Sequence, residues 1–293
     1  MSLTRLAFLL LLLLAAHAAA GTYPLNVTDD LGRDLIFERA PVRIVSLAPS
    51  HTESVCALSA CDLLVGVDNN SDHPAGLEHL RLVGDAFAPN VEAVVALEPD
   101  LVLADEYSSV HLVLEPLGIT VYAGTPQTFD EILAYLRLLG AILDKEEQAA
   151  TAVADIEATV AAVTERISGA PTPTVFLELD PTPYSVGPAS YLGTILSMAG
   201  GDNIVTAAMG DFPQVNPEYV VASDPDFIVL TDAPFGESAA SVAARPGWAR
   251  LSAVVGDRVL ELSVDEVNIL SRAGPRVGEA VALLARLLHP GLF

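Results

Sequence analysis

One eleven-residue phrase occurs twice in this chain and constrains its fold more than any other feature. It reads Asn90-Val91-Glu92-Ala93-Val94-Val95-Ala96-Leu97-Glu98-Pro99-Asp100, and again, 126 residues later, Asn216-Pro217-Glu218-Tyr219-Val220-Val221-Ala222-Ser223-Asp224-Pro225-Asp226; seven of the eleven positions are identical. Each copy opens on an Asn able to cap a helix and places a Glu in the first turn, where the helix dipole favours an anion. A short apolar helix follows, Pro-Asp stops it, and the next four residues, Leu101–Ala104 or Phe227–Leu230, read as a strand buried on both faces. Two lobes of related α/β build are therefore expected, each presenting one acid, Glu92 or Glu218, at an equivalent helix start.

The chain is long enough for two lobes: 293 residues, 52 % of them apolar. Strand and helix patterns alternate on either side of a stretch, residues 144–168, that holds neither Gly nor Pro and reads as one helix of about 36 Å. The expected division is a first α/β lobe over 21–143, a connecting helix over 144–168 and a second α/β lobe over 169–293. Both lobes are expected to be Rossmann-like, with mainly parallel sheets and a ligand cleft between them. Met1 to Ala20 has the parts of a signal peptide: Arg5, an apolar core, and Ala18-Ala19-Ala20 before Gly21. No Cys lies near that cut, so the expectation is an exported, soluble chain without a lipid anchor. The net charge of −24 argues against nucleic acid and anionic membranes as partners. Only Cys56 and Cys61 are present; five positions along an unbroken helix would hold them apart, so a disulfide needs the helix to end near Ala60. The sequence leaves that disulfide and two buried thiols equally open.

Catalytic grammar is missing. There is no G-x-S-x-G, G-x-G-x-x-G, P-loop or H-E-x-x-H pattern, and the six His residues are scattered without metal-ligand spacing. A binder is expected rather than an enzyme, with no resident cofactor or metal; an exported hydrolase or oxidoreductase is the alternative from another class. Several phrases appear instead in a fixed order: Thr28-Asp29-Asp30-Leu31-Gly32-Arg33, Arg43 through Pro49-Ser50-His51-Thr52-Glu53, Leu64-Val65-Gly66-Val67, the first repeat copy, Pro213 through Glu218, Arg245-Pro246-Gly247-Trp248, and Arg272-Ala273-Gly274-Pro275-Arg276. In that order they resemble the periplasmic binding proteins for cobalamin and ferric siderophores, whose lobes are joined by a long helix. The arrangement is closest to the cobalamin-binding branch and covers the chain from about Tyr23 onward, with the family's domain at about residues 43–293. The resemblance implies a monomeric receptor that delivers a small ligand to an ABC permease and its cytoplasmic ATPase. It also implies that Glu92 and Glu218 dock against the permease.

For the ligand, the loops that follow strand C-termini are the places to look in open α/β sheets. The first lobe offers His51, Asn70, Asp85, Phe87, Asp105 and Tyr107. The second offers Tyr184, Phe212 and Asp232, with Arg272 before the last helix. Phe87 and Phe212 stand a few residues upstream of the two repeat copies and suit facing aromatic walls on a flat apolar ring. His51 is a candidate to coordinate a metal centre carried by the ligand. A corrinoid is the expected cargo; a ferric siderophore or haem is the alternative within the class.

Overall fold

The computed structural model describes residues 23–293. The signal-peptide reading of Met1–Ala20 falls outside the described residues. Among those described, no helix is long and apolar enough to cross a membrane.

A hairpin, β1 (Leu25–Thr28) and β2 (Asp34–Phe37), leads into the first sheet. Its turn closes through Gly32 at φ 73, and the Asp29 side chain accepts from the amides of Leu31 and Arg33. The first sheet contains β3 (Ile44–Ser46), β4 (Leu64–Val67), β5 (Arg81–Leu82), β6 (Leu101–Ala104) and β7 (Val121–Ala123). Its order is β5-β4-β3-β6-β7 and every pairing is parallel. Short helices α1 (Pro49–Ala57), α2 (Val91–Ala96) and α3 (His111–Leu114) lie between its strands in sequence. Two longer helices follow, α4 (Phe129–Leu143) and α5 (Glu146–Arg166).

The second sheet is built from β8 (Thr174–Asp180), β9 (Tyr184–Ser185), β10 (Asp202–Asn203), β11 (Phe227–Leu230) and β12 (Val259–Glu261). Its parallel order is β10-β8-β11-β12, with β9 antiparallel on β8. The helices of this half are α6 (Tyr191–Met198), α7 (Pro217–Ser223), α8 (Ala239–Ala244), α9 (Ser252–Val255), α10 (Val264–Ser271) and α11 (Val277–Leu288). The chain is thus a two-lobed α/β protein with separate, mainly parallel sheets.

The repeated phrase folds the same way in both halves. Asn90 caps α2 by accepting from the Ala93 amide, and Asn216 caps α7 by accepting from the Glu218 amide. Both helices stop at a left-handed residue, Glu98 at φ 48 and Asp224 at φ 44. The closing aspartates then tie each strand start to its neighbour: Asp100 accepts from the amides of Val42 and Arg43, Asp226 from the amide and hydroxyl of Thr174. This fixes β6 beside β3 and β11 beside β8.

Between the sheets, the expected long helix is α5, about 31 Å at its 21 residues. It starts later than expected because Asp144 adopts φ 55 and ends α4, so the chain turns back after α4. Helix α4 also takes part in the join. Ile132, Leu133 and Leu136 enter the apolar core shared with the second sheet, while Tyr135, Leu139, Ile142 and Leu143 enter the core under the first. Helix α1 ends at Ala57 and Ser59 turns left-handed at φ 56, which brings Cys56 and Cys61 to a Cα separation of 4.4 Å. They form a disulfide, resolving the open alternative.

Candidate functional site

Five aromatic side chains near strand ends are exposed, a departure from the usual tendency to bury such rings. They are Phe87 (66 %), Tyr107 (72 %), Tyr184 (42 %), Phe212 (59 %) and Phe235 (86 %). Each belongs to the edge of a sheet where its strands end. Phe87 follows β5, Tyr107 follows β6, Tyr184 follows β8, Phe235 follows β11, and Phe212 precedes the start of α7. In the first lobe an aspartate two residues earlier holds each loop. Asp85 accepts from the Phe87 and Ala88 amides, and Asp105 accepts from the Tyr107 amide at 2.8 Å. In the second lobe the backbone of 183–187 pairs with that of 211–215, through Gly187 to Asp211, Ser185 to Pro213 and Val215 to Pro183. That pairing carries Tyr184 and Phe212 on one flap.

Between the lobes lies a cavity of about 390 Å³, walled by Pro49, Asn70 and Asp72 from the first lobe and by Val264, Asn268 and Ser271 from the second. Its second-lobe wall is one helix face: Val264, Asn268 and Ser271 recur at the spacing of α10. The lining is neutral amide, hydroxyl and alkyl, apart from Asp72 and Arg272. Three arginines of the second lobe, Arg245, Arg272 and Arg276, are all paired. Arg272 and Arg276 contact Glu53, and Arg272 contacts Asp72 as well. Arg245 makes two 2.6 Å bonds to Glu178 and one of 2.7 Å to Glu237, with its guanidinium 4.7 Å from the Trp248 ring centre.

Three sequence candidates lie away from solvent. His51 is buried at the start of α1: Nε2 faces the Ala104 carbonyl at 3.2 Å and Nδ1 faces the Tyr135 hydroxyl at 2.7 Å. The carbonyl can only accept, so Nε2 donates to it and Nδ1 accepts from Tyr135. Burial pulls the His51 pKa down to about 4, and with both nitrogens engaged the ring has none left for a metal. Asp232 is buried beyond the end of β11, its pKa pushed up to about 7 by burial and then by the charge of Glu178. Arg272 is buried in its ion pairs. Asn70, Asp85, Phe87, Tyr107, Tyr184 and Phe212 are exposed at the strand-end edges, and Asp105 is half-buried among them. Asn268 and Ser271 were missed; the signal was Ser263-Val264-Asp265-Glu266, a capping box that starts α10.

Glu92 and Glu218 are both exposed at the second position of their helices. Beside Glu218 is a groove of about 660 Å³ lined by Pro181, Pro183, Pro217, Val221, Pro246 and Trp248.

Paired lobes, loops gathered at the strand ends and a cavity between them define a solute receptor. The chain belongs to the periplasmic binding protein family, whose model matches residues 44–265. It is 33 % identical to the uncharacterized ABC transporter substrate-binding lipoprotein YvrC of Bacillus subtilis, across 92 % of this chain and 87 % of that one. Among solved structures it is similar to the periplasmic vitamin B12 binding protein of Vibrio cholerae, with TM-score 0.71 and 27 % identity over 85 % of this chain and 97 % of the other. It is also similar to a possible iron-binding periplasmic solute-binding protein of Staphylococcus epidermidis, with TM-score 0.76 and 26 % identity over 86 % and 100 %. Membership makes this an exported, non-catalytic binding component that serves an ABC importer made of permease and ATPase subunits.

Proposed function

We propose that the protein captures a corrinoid between its lobes and presents it to the permease through Glu92 and Glu218. The observation that carries this reading is the set of exposed aromatics on both strand-end edges, in a molecule whose inter-lobe cavity is lined largely by neutral amides and hydroxyls. A corrin ring offers broad apolar faces for such rings and a periphery of amides for Asn70, Asn268 and Ser271. Haem propionates, catecholates and carboxylate siderophores call for free cations, and here Arg245, Arg272 and Arg276 are already held by acids. Binding a ferric centre through a phenolate is also disfavoured at Tyr107, because Glu106 raises its pKa by charge and by hydrogen bonding. The likeness to the Vibrio cholerae protein supports the corrinoid reading.

A ferric cargo is the second reading, favoured by the exposed Tyr184 phenol and by the likeness to the Staphylococcus epidermidis protein. Titration calorimetry with cyanocobalamin, haemin and a ferric catecholate separates the two. Tight binding of cyanocobalamin alone is expected; preference for either iron compound overturns the corrinoid reading.

A further inference from the structure

Two phrases of the sequence, Pro49–Glu53 and Arg272–Arg276, still lack a role. They stand on different lobes and form the two halves of one joint. Glu53 Oε1 accepts from Arg272 Nη1 at 2.8 Å and from Arg276 Nη2 at 2.7 Å, and its Oε2 accepts from Arg276 Nε at 2.9 Å. Arg272 goes further into the first lobe: Nη1 lies 2.7 Å from Asp72, and Nη2 donates to the Asn70 carbonyl at 3.1 Å. Glu53 is buried, so parting the lobes here would strand a carboxylate away from water and from its cations. The backbone between the arginines allows this approach. A Cβ on Gly274 would stand 3.3 Å from the Ser50 carbonyl oxygen, so only a residue without one fits freely.

We infer that Glu53, Arg272 and Arg276 form the joint that sets the spacing of the lobes. Arg272 is the positioning residue through which the joint shapes the inter-lobe cavity. It grips the Asn70–Asp72 loop by a backbone carbonyl and a side chain, so the wall that carries the Asn70 amide is held from the opposite lobe. The loop's other bonds stay within the first lobe: the Asn70 amide and the Ser71 hydroxyl donate to the Asp68 carboxylate, the Ser71 hydroxyl also meets Thr52 Oγ1 at 2.7 Å, and the Asn69 amide donates to the Gly84 carbonyl. They shape the loop but do not anchor it across the cleft. The role in cargo binding rests on the reading that this cavity holds cargo; the spacing of the lobes does not.

Two variants test the joint. Glu53→Met with Arg272→Met and Arg276→Met replaces the buried ion cluster by apolar groups of similar reach, a change that folded proteins often tolerate. Arg272→Lys keeps the charge but loses the planar fork. Spin labels at the exposed positions Ser109 and Ala208, in chains carrying Ser109→Cys and Ala208→Cys, report the distance between lobes. The triple variant should turn a narrow distance distribution into a broad one. Arg272→Lys should keep the spacing and Tm, raise amide exchange at Asn70 and Ser71 about tenfold, and weaken cyanocobalamin binding about tenfold. An equally narrow distribution in the triple variant, or unchanged exchange in Arg272→Lys, overturns the inference. If the triple variant does not fold, the exchange result decides. Should the wild type not bind cyanocobalamin, the cargo reading fails, while distance and exchange still judge the joint.

Discussion

Replacing Phe87 or Phe212 by Ala should weaken cargo binding while leaving the protein as stable as before. A phenyl side chain presents about 200 Å² when bare. With 66 % of Phe87 and 59 % of Phe212 exposed, roughly 120–130 Å² of each remains for a ligand to cover. A flat ring stacked on one face covers about half of that, and at about 25 cal/mol per Å² the loss is about 1.5 kcal/mol, or about tenfold in Kd. The unfolding free energy should stay within about 0.5 kcal/mol of wild type, because little buried surface is removed. Phe176→Ala is the contrast. That ring is fully buried, edge-on to Trp248, and its loss should cost about 3–5 kcal/mol of stability. Calorimetric titration with cyanocobalamin and urea unfolding measure the two quantities. An unchanged Kd in both Phe87→Ala and Phe212→Ala, with wild-type stability, refutes the aromatic-wall reasoning.

The double variant Glu92→Ala and Glu218→Ala should bind cargo like wild type yet lose permease-dependent uptake in reconstituted vesicles; intact uptake would remove these residues from docking. Cys56→Ser with Cys61→Ser releases a very short loop, so the chain-entropy model expects a loss of only about 2 kcal/mol in urea unfolding, and no measurable loss would contradict it. Asp232 binds its proton more tightly folded than unfolded, so its contribution to stability is present below the unfolded carboxylate range and falls away as pH rises through about 7. His51 has the opposite sense: its folded pKa of about 4 makes stability rise between pH 4 and 6.5. Asp232→Asn should therefore steepen the rise of stability with pH over this range, and matching slopes in variant and wild type would refute the assignment.

The repeat was legible because its signals are local: an Asn cap, a Glu in the first turn, a short apolar helix and a Pro-Asp stop all lie within eleven residues. What stayed hidden depends on contacts across long separations. Nothing near His51 announces that Tyr135 and Ala104 will take both its nitrogens. Nothing near Arg272 shows that its guanidinium belongs to Glu53 and Asp72 rather than to a ligand. The exposed aromatics were half legible: their loops could be placed at strand ends, whereas the distinction between rim and core needed the packed structure. Helices α8 and α9 are only six and four residues long, too short for a periodic pattern to mark them.

Helix α4 lends one flank to each half of the molecule, and this reaches beyond architecture. Neither half alone could keep water from Ile132, Leu136, Leu139 and Ile142 together, so cutting the chain into separate halves would yield two sticky fragments. Heating the intact protein should instead melt everything at once. A receptor built this way should change its lobe spacing little when cargo enters, which solution scattering with and without cyanocobalamin would check.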